Sequence, residues 1–267
     1  MRGHFQTADG CRLAFEVEGQ GPPVLWQHGL GATAAQPAEV FPPNTAQGGF
    51  QRVTLICRGH EGSDLGAPDR LSIAQFTADA VALLDHLGLP PVTAGGISLG
   101  AAIALRLAVL HPERLTGLIL ARPAWVDQPA PETLHAYVEV AGLLQRHGEA
   151  GGPLFQASQT YRDLHAAAPD NAASLASFFA RPRPETTVAL LSRIPLDGPG
   201  VSLAQIQALA LPTLVLVTAD DVVHPQVYGA GLASLIPNAT LTRLTPKGRD
   251  KPAHVADFRA ALAGFLA

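Results

Sequence analysis

The chain has 267 residues and a mass of 27.8 kDa, which suits one domain, or one domain carrying an insert, and is too short for two ordinary enzyme domains. With 47% hydrophobic and 15% charged residues, it has ample material for a buried core and no tract polar enough to read as disordered. Acidic residues number 22 against 18 basic ones, a formal charge of −4, so there is no basic footprint for a phosphate backbone and nucleic acid is not an expected partner.

Residues 1–6 lack the apolar run of a signal peptide, and no stretch of about 18 uninterrupted apolar residues is present to span a bilayer. The expectation is a soluble, cytoplasmic protein without a membrane partner. Cys11 and Cys57 show no metal-ligand spacing and read as buried free thiols. Only Lys247 and Lys251 are lysines; codon bias is the plain explanation, although both fall in one short stretch.

Along the chain, short β-branched or apolar runs alternate with longer segments of helical period, the pattern of strands joined by crossover helices in a parallel sheet. Strands are expected at 13–17 and 24–27, joined by a Gly-Pro turn, and at 52–57. Apolar residues at 73, 76, 80, 83, 84 and 87 predict a helix closed by Gly88 and the prolines beyond it. A short strand at 92–95 runs into a glycine cluster, then come a helix at 101–110 and a strand at 118–121. Further on, strands are expected at 213–218 and 240–244, and helices at 227–235 and 255–266. Between these halves the strand runs disappear, and Pro-rich breaks separate helical pieces such as 134–145 and 174–179. The expected organisation is a core of 1–124 and 205–267 interrupted by a helical insert over 125–204.

The most informative motif is Gly96-Ile97-Ser98-Leu99-Gly100, a G-x-S-x-G between a strand and a helix. A sharp strand-to-helix turn holds such a serine in a strained position, and small residues at both ends let backbones approach. The helix beginning beside Ser98 points free N–H groups at the place where an oxyanion forms. Ser98 is therefore the candidate nucleophile; a plain Gly/Ser turn is the alternative.

A second motif, His28-Gly29-Leu30-Gly31, follows the 24–27 strand. Taken with Arg58-Gly59-His60-Glu61-Gly62-Ser63, the serine elbow backed by Ala101-Ala102-Ile103-Ala104, and His111-Pro112-Glu113-Arg114, it resembles the α/β-hydrolase superfamily over nearly the whole chain except the insert. The resemblance implies a mostly parallel eight-stranded sheet with helices on both faces, and a helical cap inserted after the sixth strand. It also implies an oxyanion hole from the amides of Leu30 and Leu99.

A serine hydroxyl needs a base, and the base an orienting acid, in the order serine, acid, histidine for this fold. The resemblance places the acid four residues before Pro225, at Asp221, with Asp220 as runner-up. In most relatives a Gly-His pair follows the last strand, whereas Gly248 and Arg249 stand here. His254, 33 residues beyond Asp221, is the candidate base; if it lies far from Ser98, His60 and His224 are next by loop position.

His28 reads as a histidine holding its loop more than as a base, and it joins Arg122, Trp125 and Tyr161 as a candidate substrate-binding residue. Arg122, just after a strand, is placed either to pair with a substrate carboxylate or to tether the insert, for instance through Asp127. Lys247, Arg249 and Lys251, with Arg58 and His60, are read as positive potential around the mouth or as solvated loop charges. Trp125, Phe155, Tyr161, Phe178 and Phe179 either line a pocket or pack a core. The reading is a capped serine hydrolase acting on a small carboxylic ester or lactone, anionic if Arg122 reads it, with no metal or organic cofactor required. Two rivals stand beside it: the same triad used for C–C bond hydrolysis, acyl transfer or a lyase step, and a non-catalytic ligand-binding protein.

Overall fold

The computed structural model describes residues 1–44 and 48–267. In chain order the elements are β1 (Arg2–Gln6), β2 (Arg12–Glu18), β3 (Pro23–Gln27), α1 (Ala35–Val40), β4 (Gln51–Leu55), α2 (Ile73–His86), β5 (Val92–Ile97), α3 (Leu99–Leu110) and β6 (Leu115–Ala121). A run of helices follows: α4 (His135–His147), α5 (Gly151–Gln156), α6 (Gln159–Ala167), α7 (Pro169–Ala176), α8 (Pro184–Arg193) and α9 (Leu203–Gln207). The chain then returns to β7 (Thr213–Thr218), α10 (Gln226–Leu235), β8 (Ala239–Leu244) and α11 (Lys251–Leu266).

The strands form one eight-stranded sheet in the order β1-β2-β4-β3-β5-β6-β7-β8. β1 and β2 pair antiparallel, as do β2 and β4, while the neighbours from β4 to β8 run parallel. Strand alternation sorts the core into two layers. Leu25, Ala94, Leu118, Leu120, Val215 and Val217 face the layer containing residues of α2, α3 and α10. Val24, Trp26, Ile119, Ala121, Leu214 and Leu216 face Val40, Phe258 and Leu262 of α1 and α11. Helices on both faces follow from that division.

Two boundaries differ from the sequence expectation in ways that matter for the site. α3 begins at Leu99, directly after Ser98, because the elbow passes from strand to helix within one residue. α11 begins at Lys251 rather than 255, since Asp250 caps it by accepting from Ala253 N–H and Pro252 sits in its first turn. His254 is therefore a first-turn helical residue.

Candidate active site

The parallel strands end along one edge, and there the backbone takes unusual conformations in three successive connections. Ser98 after β5 has φ +57° and ψ −110°, Arg122 after β6 has φ +46°, and Asp220 after β7 has φ +57°. Residues other than glycine adopt such angles only when their surroundings enforce them. At Ser98 two glycines allow it. A Cβ on Gly96 would stand 2.6 Å from the Gly100 carbonyl carbon, and one on Gly100 would stand 2.6 Å from Gln27 O. β3, the elbow and α3 thus touch backbone to backbone. Helix propensity alone makes Gly→Ala favourable by about 0.5–1 kcal/mol, but here the added methyl meets main chain that cannot swing away. Gly100→Ala is expected to destabilise the fold by about 1–3 kcal/mol; a urea midpoint at or above that of the parent chain contradicts this close packing.

The loop after β3 is fixed by two neutral histidines. His28 Nδ1–H donates to Gly29 O (2.8 Å) while its Nε2 accepts from Cys57 N–H (3.1 Å). His60 Nδ1–H donates to Arg58 O (3.0 Å) and its Nε2 accepts from Gly31 N–H (2.9 Å). Gly29 N–H is taken by Gln36 Oε1. By contrast, the amides of Leu30 and Leu99 have no acceptor among the described residues.

Burial pushes the His28 imidazole down to about 4, and burial with the neighbouring His28 ring pushes His60 well below its ordinary 6.5. The folded state therefore binds fewer protons than the unfolded chain. Stability from this pair is fully present above about pH 6.5 and is lost as pH falls towards 4, at up to about 1.4 kcal/mol per pH unit for each histidine. Carboxylates with lowered pKa, such as Asp9 and Asp221, add acid loss only below their ordinary 3.8. Urea midpoints are expected to fall between pH 6.5 and 5; a flat profile over that window rules out the neutral pair.

The acid loop after β7 brings Asp221 against His224 and Arg122. Both Asp221 oxygens lie 2.9 Å from His224 Nδ1, and His224 N–H donates to Oδ1 (3.2 Å). Arg122 Nε donates to Asp221 Oδ2 (2.7 Å), and its Nη2 lies 2.6 Å from the same oxygen. Arg122 Nη2 also lies 3.2 Å from His224 Nδ1, but two carboxylate oxygens at 2.9 Å outweigh that single contact and assign the proton to Nδ1, leaving Nε2 as the acceptor. Nε2 is buried and has no hydrogen-bond partner among the described residues. Burial favours the neutral forms of both Asp221 and His224. For Asp221 it is outweighed by His224 and Arg122, so the carboxyl stays ionised; for His224 it prevails, with help from Arg122, and the pKa is lowered.

Ser98, Leu30, Arg122 and His224 line one pocket of about 100 Å³, whose wall also includes Tyr137 of α4 and Asp170, Asn171 and Ser174 of α7. Asn171 Oδ1 also accepts from Val222 and Val223 N–H, holding the acid loop to α7.

His254 makes other contacts, although the charges of Arg122, Lys247 and Asp170, which line the pocket, reach its ring. Its Nδ1–H donates to Thr245 O (2.8 Å), its ring packs edge-on against Phe258, and it is absent from the lining of the Ser98 pocket. The hydrogen bonds of Asp221 go to His224 and Arg122, with none to His254 among the described residues. The first turn of α11 aims this side chain back at the end of β8. Asp220, the alternative acid, pairs with Arg249.

Other expectations also change. His28 is fully buried with both nitrogens engaged, so it supports the loop and presents nothing to a ligand. Trp125 is buried and donates to Asp197 O, while Tyr161 packs against Phe155; neither lines the Ser98 pocket. Arg122 pairs with Asp221 rather than with Asp127. The positive mouth is cancelled locally: Lys247 pairs with Asp170, Arg249 with Asp220 and Lys251 with Glu39, and Arg58 is buried between Asp9 and Asp79. Sequence reasoning named His224 only by loop position. Its signal is the spacing Asp221-x-x-His224 before Pro225, which lets a turn fold one side chain onto the other.

Similarity to known proteins agrees with this architecture. Residues 22–250 match the family model described as alpha/beta hydrolase fold. The chain is 32% identical over 208 residues to "Putative carbamate hydrolase RutD" of Pseudomonas syringae pv. syringae (strain B728a), covering 74% of this chain and 76% of that protein. It is 28% identical over 252 residues to 2-hydroxymuconate semialdehyde hydrolase of Pseudomonas putida, covering 88% and 83% of the two chains. Among solved structures, the enol-lactonase from Burkholderia xenovorans LB400 superposes with a TM-score of 0.72 at 20% identity, covering 99% of each chain. Sheet order, serine elbow and sequence match lead to one conclusion: the chain belongs to the alpha/beta hydrolase fold family.

Proposed function

We propose that the chain is a serine hydrolase acting on a small carboxylic ester or lactone, with residues 125–204 as a helical cap over the site. The observation that supports this reading is the partnerless Nε2 of His224, a residue bonded through Nδ1 to Asp221 that lines the same pocket as Ser98. His224 takes the role that the sequence suggested for His254. Ser98 Oγ attacks the substrate carbonyl as its proton passes to His224 Nε2, and the amides of Leu30 and Leu99 hold the oxyanion. His224 then gives that proton to the leaving oxygen, and the acyl group stays on Ser98. Water loses a proton to His224 and attacks the acyl carbon; the acyl–Oγ bond then breaks, His224 returns the proton to Ser98 Oγ, and the carboxylic acid leaves. Arg122 keeps Asp221 ionised and oriented. Because each cation at the mouth has a carboxylate partner, a neutral substrate fits this pocket better than an anionic one.

The pocket shares Arg122, Asp170, Asn171 and Lys247 with a neighbouring cavity of about 510 Å³, so a small substrate can extend beyond Ser98. A panel of acetate and butyrate esters, small lactones and a carbamate, assayed with the parent chain and Ser98→Ala, tests the proposal. Hydrolysis of an ester or lactone that vanishes in Ser98→Ala supports it. Failure of a small fluorophosphonate to label Ser98 sinks it in favour of a binding protein. A second reading, C–C bond hydrolysis by the same residues, draws on the similarity to the semialdehyde hydrolase; turnover of a vinylogous 1,5-diketone without ester cleavage selects it.

A further inference from the structure

A second and larger pocket, about 400 Å³, lies where the segment from Phe178 to Leu191 meets the loops after β3 and β4. Its lining shares no residue with that of the Ser98 pocket. The partition is Phe178, whose ring abuts Gly31 and stands edge-on to Tyr137 at 5.8 Å.

Two guanidiniums line this second pocket, and their bonding differs from that of Arg58 and Arg122. Arg181 donates from Nη1 to Gly31 O and lies 4.8 Å over the Phe178 ring. Arg183 donates from Nη2 to His60 O (2.7 Å) and Gly59 O (3.1 Å), and from Nη1 to Ser63 O (3.4 Å). Every one of these acceptors is a neutral backbone carbonyl. Neither arginine has a carboxylate within ion-pair distance among the described residues, and Glu61, the carboxylate in the lining, is exposed and bonded to neither. Arg181 is half-buried, and burial alone depresses its pKa, with no carboxylate to offset it. A guanidinium carries five N–H donors in a fixed fork, so each has donors left over after its carbonyl contacts. The rest of the wall includes Phe178, Leu190 and Leu191.

Uncompensated, partly desolvated cations on an apolar wall match one ligand chemistry. We propose that this pocket binds a small organic carboxylate with a compact apolar body, at a site separate from Ser98. The carboxylate takes the free donors of Arg181 and Arg183 in charge-assisted, forked hydrogen bonds, and its apolar part covers Phe178 and the two leucines. The site is independent of whether Ser98 is a nucleophile.

Calorimetric titration with benzoate, benzamide and inorganic phosphate tests it on the intact chain. Benzoate is expected to bind, with affinity falling as salt rises, and benzamide and phosphate at least tenfold more weakly. Arg181→Gln and Arg183→Gln are each expected to weaken benzoate by tenfold or more, while Arg181→Lys retains part of the affinity. Equal binding of benzamide, or parent-like benzoate affinity in both glutamine variants, overturns the proposal. If Arg181→Gln does not fold, Arg183→Gln and the benzoate–benzamide comparison still decide. Loss of benzoate binding after phosphonylation of Ser98 assigns the ligand to the other pocket and overturns it too. If Ser98 cannot be phosphonylated, the hydrolase reading fails, while the remaining titrations judge this site alone.

Discussion

His224→Ala is expected to lower kcat/KM on the best ester by about ten-thousandfold, comparable to losing the proper base in other serine triads. The replacement removes the acceptor for the Ser98 proton and leaves the Leu30 and Leu99 amides intact, so a residual rate over water persists. Fluorophosphonate labelling of Ser98 slows in parallel, and far-UV circular dichroism stays native because the imidazole is bonded within its own loop. In His254→Ala the labelling rate stays within a few-fold of the parent, although stability drops through loss of the Thr245 and Phe258 contacts. The opposite pattern, with activity lost at 254 and kept at 224, overturns the assignment. Since burial and Arg122 lower the His224 pKa, the acid limb of kcat/KM lies below the ordinary 6.5, and His254→Ala leaves it in place.

Arg58→Met is expected to destabilise the fold by about 3–5 kcal/mol. Arg58 is completely buried and binds two carboxylates bidentately: Asp79 through Nε and Nη2 (2.7 and 2.9 Å) and Asp9 through Nη1 and Nη2 (2.7 and 2.9 Å). Methionine fills much of the space yet leaves Asp79, itself 1% exposed, as a buried charge without a cation. For a chain of this size the melting temperature falls by roughly 10 °C. The double variant Arg58→Met/Asp79→Leu recovers most of the loss, because the larger penalty is the orphaned carboxylate rather than the missing attraction. Equal destabilisation in the single and double variants contradicts that account.

The central sheet was legible in the sequence because its physics is local. Thr213–Thr218 is buried at all six positions, and such a β-branched run bounded by turn residues reads as a strand without tertiary information. β1 gave no such signal: it is an edge strand of Arg2, Gly3, His4, Phe5 and Gln6 in which only Phe5 is buried, and its pairing with β2 determines it. The serine elbow was legible because its glycines are demanded by main-chain contacts. The base was not. Whether a histidine meets Asp221 depends on how a turn at 221–224 and a helix start at 251 direct two rings, and linear spacing carries neither direction. Arg58 was misread for a related reason: its carboxylates lie 49 and 21 positions away, so an arginine in a glycine-rich loop looked solvated when it is the centre of a buried network.

Lys247 and Lys251 have a consequence for handling the protein. Besides the amino terminus they are the chain's only primary amines; Lys247 lines the Ser98 pocket and pairs with Asp170 of α7, while Lys251 pairs with Glu39 of α1. Amine-directed coupling, whether a dye, a cross-linker or an activated resin, therefore has three targets on this fold, and one of them, Lys247, lies in the wall of its candidate active site. A dye there reports on ligand entry. Immobilisation by the same chemistry is best avoided, since one of its three anchors would hold the support against the pocket wall.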